Sequence, residues 1–332
     1  MLPLVSILIP AFNAQEYIAE TLASAIAQTW PRKEIIVIDD GSTDRTLEIA
    51  RQAAASGVRV VAQQHLGAAA ARNKAFALSQ GDFIQWLDAD DLLSPDKIER
   101  QLLAFAERPR PRSLLSCAWG SFIYRRSRAR FIPTALWQDL SPLEWLLHKM
   151  EQNIYLQTAT WLVSRELTES AGAWDTRILG DDDGEYFCRV LLQSDGVRFV
   201  PAAKVLYRMS GMDRLSYIGA SHAKMESQFR SMRLHIGYVR SLEDSPRVRA
   251  ACISYLQRGL TSFHAERADI VREAELLAAE LGGQLQTPRP TWKYSLFRAV
   301  LGHDLARRAQ TVVRQVRWSC AKLVDKSLSR VE

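Results

Sequence analysis

Three carboxylates follow one apolar stretch of the chain within four positions. Residues 83–87 (FIQWL) have the aromatic and aliphatic character of a buried strand, and Asp88, Asp90 and Asp91 come directly after it. Because carboxylates are rarely buried unless they are paired or bound to a metal, we expect this strand to deliver them to an edge of its sheet. In an extended segment, Asp88 and Asp90 point to the same side and could reach one cation.

Hard divalent cations such as Mg²⁺ and Mn²⁺ prefer carboxylate oxygens and often keep phosphate oxygens and water as further ligands. The spacing of Asp88 and Asp90 therefore predicts a site for a metal-bound phosphate. The alternative interpretation is an acidic loop that leads into a helix, since aspartate is common near helix N-termini.

The segments before this site predict a parallel sheet. Apolar, strand-like runs alternate with stretches of helical spacing. The predicted strands are 4–9, 34–38, 58–62 and 83–87, and the predicted helices are 14–28, 44–54 and 68–78. Such alternation is typical of a doubly wound α/β fold, in which ligands bind beyond the carboxyl ends of the strands. Polar residues that follow these strands should therefore meet at one edge of the sheet.

The remainder of the chain mixes both kinds of element and ends in helices. Serine followed by proline predicts helix starts at Ser94 and Ser141, because serine caps a helix and proline suits its first position. Further strands are predicted over 114–124, 158–164 and 197–207, and further helices over 95–107, 142–150 and 165–171. Beyond residue 213 the pattern is mainly helical.

Asp40 and Arg72 are candidate ligand-binding residues in the first half of this fold. Asp40 follows the second predicted strand, and its carboxylate could accept a hydrogen bond from a base or a ribose. It could instead cap the turn that Gly41 and Ser42 form. Arg72 lies on the third predicted helix, where its guanidinium could face a phosphate, since Gly67 allows a ligand to approach the backbone closely. The alternative for Arg72 is an ordinary solvated side chain.

A second acidic cluster, Asp181, Asp182 and Asp183, opens a predicted helix. The dipole at a helix N-terminus favours one or two carboxylates, but three neighbours repel one another and require a partner. One of the three would suit a general base that acts on a hydroxyl. Glu185 and Arg189 are four residues apart with the acid first, which predicts a structural ion pair on the surface.

Composition argues against several other kinds of site. The four cysteines are scattered and the six histidines show no ligand spacing, so neither a zinc site nor a disulfide framework is predicted. The first residues lack the pattern of a signal peptide, and no run of about 18 uncharged apolar residues occurs. Residues 285–332 contain ten Lys or Arg and three Asp or Glu, a net charge of +7, which leaves −1 for residues 1–284. The basic pI of about 9.2 therefore reflects the tail and does not indicate nucleic-acid binding.

The basic tail has the pattern of an amphipathic helix. Its apolar side consists of Leu305, Val312, Val313, Val316, Leu323 and Val324. Arginine and lysine occupy the other sides, and Trp318 adds an amphipathic ring. Such a helix can lie on an anionic membrane surface, or it can pack on the protein with its basic side in solvent. Both interpretations stay open.

Five motifs occur in an order that resembles the family 2 glycosyltransferases, which are inverting enzymes with the GT-A fold. The matching stretches are 5–13 (VSILIPAFN), 38–44 (IDDGSTD), 67–73 (GAAAARN), 87–91 (LDADD) with Pro95 after it, and 180–189 (GDDDGEYFCR). The resemblance implies a Rossmann-like, mostly parallel sheet flanked by helices over residues 1–217. Residues 1–110 would form the nucleotide-binding half and 111–217 the acceptor half, with a mainly helical extension over 218–332.

The resemblance also implies roles for the donor-binding residues. Pro10, Phe12 and Asp40 would surround the nucleotide base, and Arg72 would lie near the base or the diphosphate. Asp88 would meet the ribose side.

The same resemblance implies the metal ligand and the catalytic residue. Asp90 would bind the divalent metal, Mn²⁺ or Mg²⁺. The family's general base is the aspartate of a Glu-Asp pair six residues before an arginine, and counting back from Arg189 gives Asp183. Asp182 stands where the family has glutamate, which makes Asp182 a rival for this role.

The implied function is metal-dependent, inverting transfer of a sugar from a UDP-linked or other nucleoside-diphosphate donor to an acceptor hydroxyl. The acceptor would be a glycan, a lipid-linked intermediate or another hydroxyl compound in cell-surface polysaccharide or glycan synthesis, with no nucleic acid involved. The expected location is cytoplasmic, with the basic helix as a possible peripheral contact at the inner face of the membrane. The alternatives are a non-catalytic GT-A-like partner of a membrane polysaccharide assembly and a nucleotide-sugar hydrolase.

Overall fold

Two β-sheets form the centre of the protein, which a computed structural model describes over residues 1–110, 112–210, 221–263, 267–287 and 303–329. Within the last range, side chains are described for 312, 313 and 315–329. The strands are β1 (Val5–Ala11), β2 (Lys33–Asp39), β3 (Val58–Ala62), β4 (Phe83–Trp86), β5 (Leu92–Leu93), β6 (Ser113–Phe122), β7 (Arg130–Phe131), β8 (Val163–Ser164) and β9 (Gly196–Arg208).

The first sheet has the order β3-β2-β1-β4-β8, in which the first four strands are parallel and β8 is antiparallel to β4. The second sheet has the order β5-β9-β6-β7, with β6 and β9 parallel. The carboxyl ends of β1, β2 and β4 therefore lie side by side, at the edge where ligands bind in such folds.

Helices cover both faces of the first sheet. They are α1 (Ile18–Ile26), α2 (Thr46–Gln52), α3 (Ala68–Ala77), α4 (Lys97–Glu107), α5 (Pro142–Gln152), α6 (Arg165–Ala171), α7 (Asp182–Gln193), α8 (His222–Leu242), α9 (Pro246–Phe263), α10 (Ala268–Glu280) and a C-terminal helix (His303–Leu328). Short 3-10 turns occur at Ala53–Ser56, Arg126–Arg128 and Thr158–Thr160. Each helix in the described part of the chain is too short or too polar to cross a membrane.

Alternation along the strands divides the buried apolar residues into two clusters. On β1, Ile7 packs in one cluster with Leu22 of α1, whereas the next residue, Leu8, packs in the other with Ala71 of α3. The second cluster also contains Phe229 of α8, so the C-terminal helices α8–α10 share a hydrophobic core with the sheet. The predicted domain boundary at residue 217 lies outside the described residues.

The predicted α/β fold with parallel strands and intervening helices is confirmed. The predicted cap at Ser141 is also present, because its Oγ accepts a hydrogen bond from the Glu144 amide at 3.2 Å. The predicted strand over 158–164 is wrong over most of its length. Thr160 donates from its amide and its hydroxyl to the Gln157 carbonyl, which closes a 3-10 turn, and the strand β8 that follows contains only Val163–Ser164.

Two predicted helix starts are displaced along the chain. The helix expected at Pro95 begins at Lys97, because the Ser94 amide donates to the Lys204 carbonyl at 3.0 Å and so prolongs the pairing of β5 with β9. The helix expected at Asp44 begins at Thr46, since the Asp44 carboxylate accepts from the Thr46 amide at 2.9 Å.

Candidate active site

A cavity of about 920 Å³ opens at the carboxyl ends of the parallel strands. The first sheet lines one side of it, and helices α5, α7, α8 and α9 contribute to the other. Every residue predicted for the site lies in its wall, namely Pro10, Phe12, Asp40, Arg72, Asp88, Asp90, Asp182 and Asp183. The sequence motifs therefore meet in this one cavity.

Arg72 joins the two acidic clusters of the sequence. Its Nη2 donates to Asp88 at 2.7 Å and its Nη1 donates to Asp182 at 2.6 Å, while its guanidinium lies 4.3 Å above the Trp174 ring. Burial lowers the pKa of Arg72, but the charges of Asp88 and Asp182 outweigh it and raise that pKa above its ordinary value. Only 5% of the surface of Arg72 is exposed, so the alternative of an ordinary solvated side chain is wrong.

The segment after β4 is a turn and not the extended stretch that the sequence predicted. The Asp91 amide donates to the Asp88 carbonyl at 3.1 Å, which closes the turn. Asp88 and Asp90 nevertheless both line the cavity. Burial, followed by the charge of Asp88, raises the pKa of Asp90 to about 6. The two carboxylates are close enough to repel each other, a repulsion that a bound cation would relieve.

Arg208 of β9 holds this turn in place through hydrogen bonds to Asp90 and Asp91. Its amide donates to the buried Asp91 carboxylate at 2.9 Å, and its Nε donates to the Asp90 carbonyl at 2.9 Å. A third contact, from Nη2 to Glu20 at 2.9 Å, ties the same guanidinium to α1. Arg208 is 1% exposed, so it fixes the backbone of the turn and does not itself face a ligand. Sequence reasoning missed it because β9 and the turn are more than a hundred residues apart.

The residues present fit a divalent cation. In the described part of the chain, no group of three or more His, Cys, Asp or Glu side chains is arranged to hold a metal. A magnesium-type ion does not need such a group, because it is commonly bound through one or two carboxylates, with substrate phosphates and water completing its shell. Asp88 and Asp90 in the cavity wall meet that requirement.

Asp40 organises the loop between β3 and α3. Its carboxylate accepts from the amides of Leu66 at 2.9 Å and Gly67 at 2.8 Å, and His65 Nδ1 lies 2.9 Å from Oδ2. The turn after β2 is instead capped by its neighbour Asp39, which accepts from the Ser42 amide at 3.2 Å. Asp40 therefore is not the cap of that turn.

His65 is a site residue that the sequence did not indicate. Its ring stacks on Phe12 at a centroid distance of 4.1 Å, and both rings line the cavity beside Asp40. Phe12 is 44% exposed, so a further planar group has access to this stack. The pairing joins loops after β1 and β3, and no local pattern in the sequence marks it.

Asp183 lies in the first turn of α7. Its Oδ1 accepts from the Gly184 amide at 2.8 Å and its Oδ2 accepts from the Thr158 hydroxyl at 3.2 Å. Burial, followed by the charges of Asp182 and Asp181, raises the pKa of Asp183 to about 7. A carboxylate with this pKa can accept a proton near neutral pH, as a general base requires.

Asp181 is held by the C-terminal helices and not by the sheet. It has a left-handed backbone with φ 61°, and its Oδ2 accepts from the Ser231 hydroxyl of α8 at 2.6 Å. A Cβ at Gly184 would lie 2.0 Å from Asp181 Oδ1, so only glycine fits there. Burial raises the pKa of Asp181, but Lys149 and His235 outweigh it and leave that pKa below its ordinary value. Helix α8 thus fixes the start of α7.

Lys149 is a second site residue that the sequence did not indicate. It lies on α5 and lines the cavity with 7% of its surface exposed, and its ammonium group makes no hydrogen bond or ion pair with another described residue. Burial lowers the pKa of Lys149, but the nearby Asp181, then Cys188 and Asp183, raise it above its ordinary value. Its charge therefore offsets part of the second acidic cluster.

The predicted ion pair between Glu185 and Arg189 is present. Nε of Arg189 donates to Glu185 at 2.7 Å, and the Tyr238 hydroxyl of α8 donates to the same carboxylate at 2.7 Å. Glu185 is 2% exposed, so the expected position on the surface was wrong. The pair joins α7 to α8 and leaves Glu185 no access to the cavity.

Comparison with known proteins agrees with this geometry. The profile of the family described as Glycosyl transferase family 2 matches residues 6–156. TuaG of Bacillus subtilis (strain 168), a glycosyltransferase named for teichuronic acid biosynthesis, is 34% identical over 177 residues, or 50% of this chain and 64% of that protein. A chondroitin synthase of Escherichia coli is 44% identical over 99 residues, or 29% of this chain and 14% of that protein. The chain thus spans less than two thirds of the length of these relatives.

Solved structures show the same fold. The crystal structure of S. aureus TarS 1-349 in complex with UDP-GlcNAc has a TM-score of 0.66 and 16% sequence identity, covering 84% of this chain and 80% of that one. The structure of the same TarS segment in complex with UDP has a TM-score of 0.64 and covers 99% of this chain. The similarity to glycosyl transferase family 2 thus covers residues 6–156, which include both aspartates of the turn after β4.

Proposed function

We propose that this protein transfers a sugar from a nucleoside-diphosphate donor to an acceptor hydroxyl, with inversion at the anomeric carbon. The observation that carries the proposal is the bridge by Arg72, which brings Asp88 of the first acidic cluster and the start of α7 together in the wall of one cavity. The first acidic cluster then suits a charged leaving group, and the start of α7 suits a proton acceptor. Such an arrangement is what displacement at a sugar carbon requires.

The donor would bind across the ends of β1, β2 and β4. The exposed ring of Phe12, backed by His65, offers a stacking surface for the base, with Pro10 and Asp40 beside it. Asp88 would meet the ribose, and Arg72 would lie near the base or the diphosphate. UDP is the nucleotide we propose, because a protein of the same fold has been solved with UDP and with UDP-GlcNAc.

Asp90, with Asp88 beside it, would hold Mn²⁺ or Mg²⁺. When bound there, a divalent cation offsets the negative charge of the departing diphosphate. Asp90 suits this role because its carboxylate lines the cavity and its backbone is fixed by Arg208.

Asp183 would act as the general base. It accepts the proton of the acceptor hydroxyl while that oxygen forms a bond to the anomeric carbon and the bond from this carbon to the diphosphate breaks. The proton remains on the Asp183 carboxyl, and the diphosphate leaves with the electron pair. Asp182 is the weaker candidate because its carboxylate is engaged by Arg72 at 2.6 Å.

The acceptor would bind in the part of the cavity that Trp145, Tyr155 and Arg258 line. Its class remains a glycan, a lipid-linked intermediate or another hydroxyl compound, in cell-surface polysaccharide synthesis, as the relatives named for teichuronic acid and chondroitin suggest. A lipid-linked acceptor would agree with peripheral membrane contact through the C-terminal helix.

One assay separates this proposal from its alternatives. The full chain is incubated with Mn²⁺ and each of a panel of nucleotide sugars, and nucleoside-diphosphate release is followed with and without candidate acceptors. We expect release that depends on both donor and acceptor, with a glycosylated product of inverted anomeric configuration. Release that acceptors do not affect would support a hydrolase, and binding without any release would support a non-catalytic partner.

A further inference from the structure

The C-terminal helix is attached to the sheet domain through polar residues. Asp325 accepts from the Tyr124 amide at 2.8 Å and from Arg125 Nε at 2.7 Å. Lys322 donates to the Tyr17 hydroxyl at 3.1 Å, and Lys326 pairs with Glu16. Positions 322, 325 and 326 are one turn apart, so they define the side of the helix that faces the protein.

The apolar side of the same helix faces solvent. Val312, Val313, Val316, Leu323 and Val324 are each 54 to 68% exposed. On a helical projection, Leu323 lies about 160° from Asp325, while Val312 and Val316 lie within about 20° of Leu323. A helix on a globular protein ordinarily turns its apolar stripe towards the core. This orientation is reversed here, and the predicted position of Leu305 on the stripe lies outside the described side chains.

The positive charge of the tail indicates that the partner of this exposed apolar side is negatively charged. Residues 285–332 have a net charge of +7, whereas the rest of the chain has −1. Arg317 is exposed at the border of the apolar stripe. A helix that combines an apolar face with excess arginine and lysine binds at the interface of a bilayer with anionic lipids, to which each basic residue near the surface adds affinity.

The position of the helix connects this surface to the cavity. Tyr17, which accepts the hydrogen bond from Lys322, also lines the cavity wall. The hydroxyl of Tyr124 donates to Glu16 at 2.7 Å, so the residues that hold the helix also form contacts with one another. A bilayer on the outward face of the helix would therefore lie on the side of the protein where Tyr17 borders the candidate active site.

We propose that the outward face of the C-terminal helix, formed by Val312, Val313, Val316, Leu323 and Val324, binds an anionic lipid bilayer. Binding requires no sugar transfer, so this inference holds or fails independently of the proposed reaction. The helix acts as an interfacial anchor: its apolar side chains enter the headgroup region while Lys322, Asp325 and Lys326 keep the protein attached.

Vesicle flotation of the full chain tests the proposal. One set of vesicles contains phosphatidylcholine alone, and the other contains equal amounts of phosphatidylcholine and phosphatidylglycerol. We expect the protein to float only with the second set, and we expect raised salt to weaken binding.

Val316→Glu and Leu323→Glu should each weaken binding at least about tenfold, because burial of one such side chain contributes a factor of that order. Gln315→Glu, exposed on the same helix outside the apolar stripe, should weaken binding about fivefold or less, the effect of one charge.

Three outcomes would overturn the proposal. They are equal flotation with both lipid mixtures, no flotation with either, and flotation by Leu323→Glu that matches the Gln315→Glu control. Light scattering after size exclusion provides a further check: a dimer that Leu323→Glu dissociates would identify the face as an interface between copies of the chain. Val316→Ser and Leu323→Ser, which remove apolar surface without adding charge, keep the test valid if a glutamate variant fails to fold.

Discussion

Arg72 of α3 and Asp182 of α7, 110 positions apart in the chain, form a buried ion pair with an N–O distance of 2.6 Å. Because the other arm of the guanidinium holds Asp88, this one side chain connects the turn that would bind the leaving group to the helix that carries the candidate base. The two acidic clusters are therefore coupled through the charge of Arg72. A substitution in one cluster should change the pKa values and the stability of the other.

Arg72→Gln should destabilise the protein by about 3 kcal/mol, because removal of one partner leaves a buried charge without compensation. The side chain of Asp182 is only 9% exposed, so water cannot replace the guanidinium there. Urea denaturation measures the change. Arg100→Gln is the matched control, since Arg100 pairs with Asp96 while 47% exposed and should contribute less than about 1 kcal/mol. Equal stability of the two variants would contradict the role given to Arg72.

Asp183→Asn should reduce turnover about 10²- to 10⁴-fold, the usual contribution of a general base, and leave the Kd for the donor nearly unchanged. The amide keeps the size of the side chain and can still accept from the Gly184 amide. Asp182→Asn should instead change stability and donor affinity through the loss of its pair with Arg72, with a smaller effect on turnover. Single-turnover kinetics with saturating donor separate these effects, and the reverse ranking would assign the base to Asp182.

Asp183 should also make folding less favourable as the pH rises. Its pKa is about 7 in the folded protein against an ordinary value of 3.8, so the folded state binds the extra proton between these limits. The corresponding stabilisation is complete below about pH 4 and is lost as the pH rises through 7. Asp183→Asn should therefore increase the free energy of unfolding at pH 8 by on the order of 1 kcal/mol or more, which raises the Tm, and the gain should shrink towards pH 5. A Tm difference that does not vary with pH would exclude this explanation.

The sequence predicts the fold better than the contacts within the site. The alternation of strands and helices is a local pattern, and the parallel sheet follows from it because short connections and buried apolar strands leave few other arrangements. The motif residues Asp88 and Asp183 could likewise be located from their neighbours in the sequence. Their geometry could not, because the turn at Asp88 is closed by backbone hydrogen bonds and supported by Arg208 from a distant strand.

The contacts of Lys149 and of the tail also could not be predicted from local sequence. A lysine within an amphipathic helix gives no sign that it is buried, and only the packing of α5 against α7 and α8 places it near Asp181. The periodicity of the tail predicts an apolar stripe but not its direction. That direction depends on contacts with Glu16 and Tyr124, which lie some 200 to 310 positions earlier in the chain.

Asp90→Asn should remove the metal-dependent part of nucleotide binding. A neutral amide is a poor ligand for a hard cation, so the gain in UDP affinity on adding Mn²⁺ should fall at least about tenfold. Affinity in the presence of a chelator should stay the same, because Asp90 would not contact the nucleotide itself. Isothermal titration with UDP, with Mn²⁺ and then with chelator, measures both quantities. Asp96→Asn is the control, because Asp96 pairs with Arg100 and does not line the cavity, and an unchanged Mn²⁺ effect in Asp90→Asn would count against the assigned ligand.

Lys149→Met should move the acid limb of the kcat/KM profile to higher pH. In the wild type this limb should report the deprotonation of Asp183, whose pKa is about 7. The charges of Lys149 and Asp183 interact, and loss of a nearby positive charge makes a carboxylate harder to ionise. The limb should therefore shift upward by roughly half a unit to one unit. Lys149→Arg retains the charge and should leave the midpoint in place, whereas a midpoint that is the same in the wild type and both variants would show that Lys149 does not influence the base.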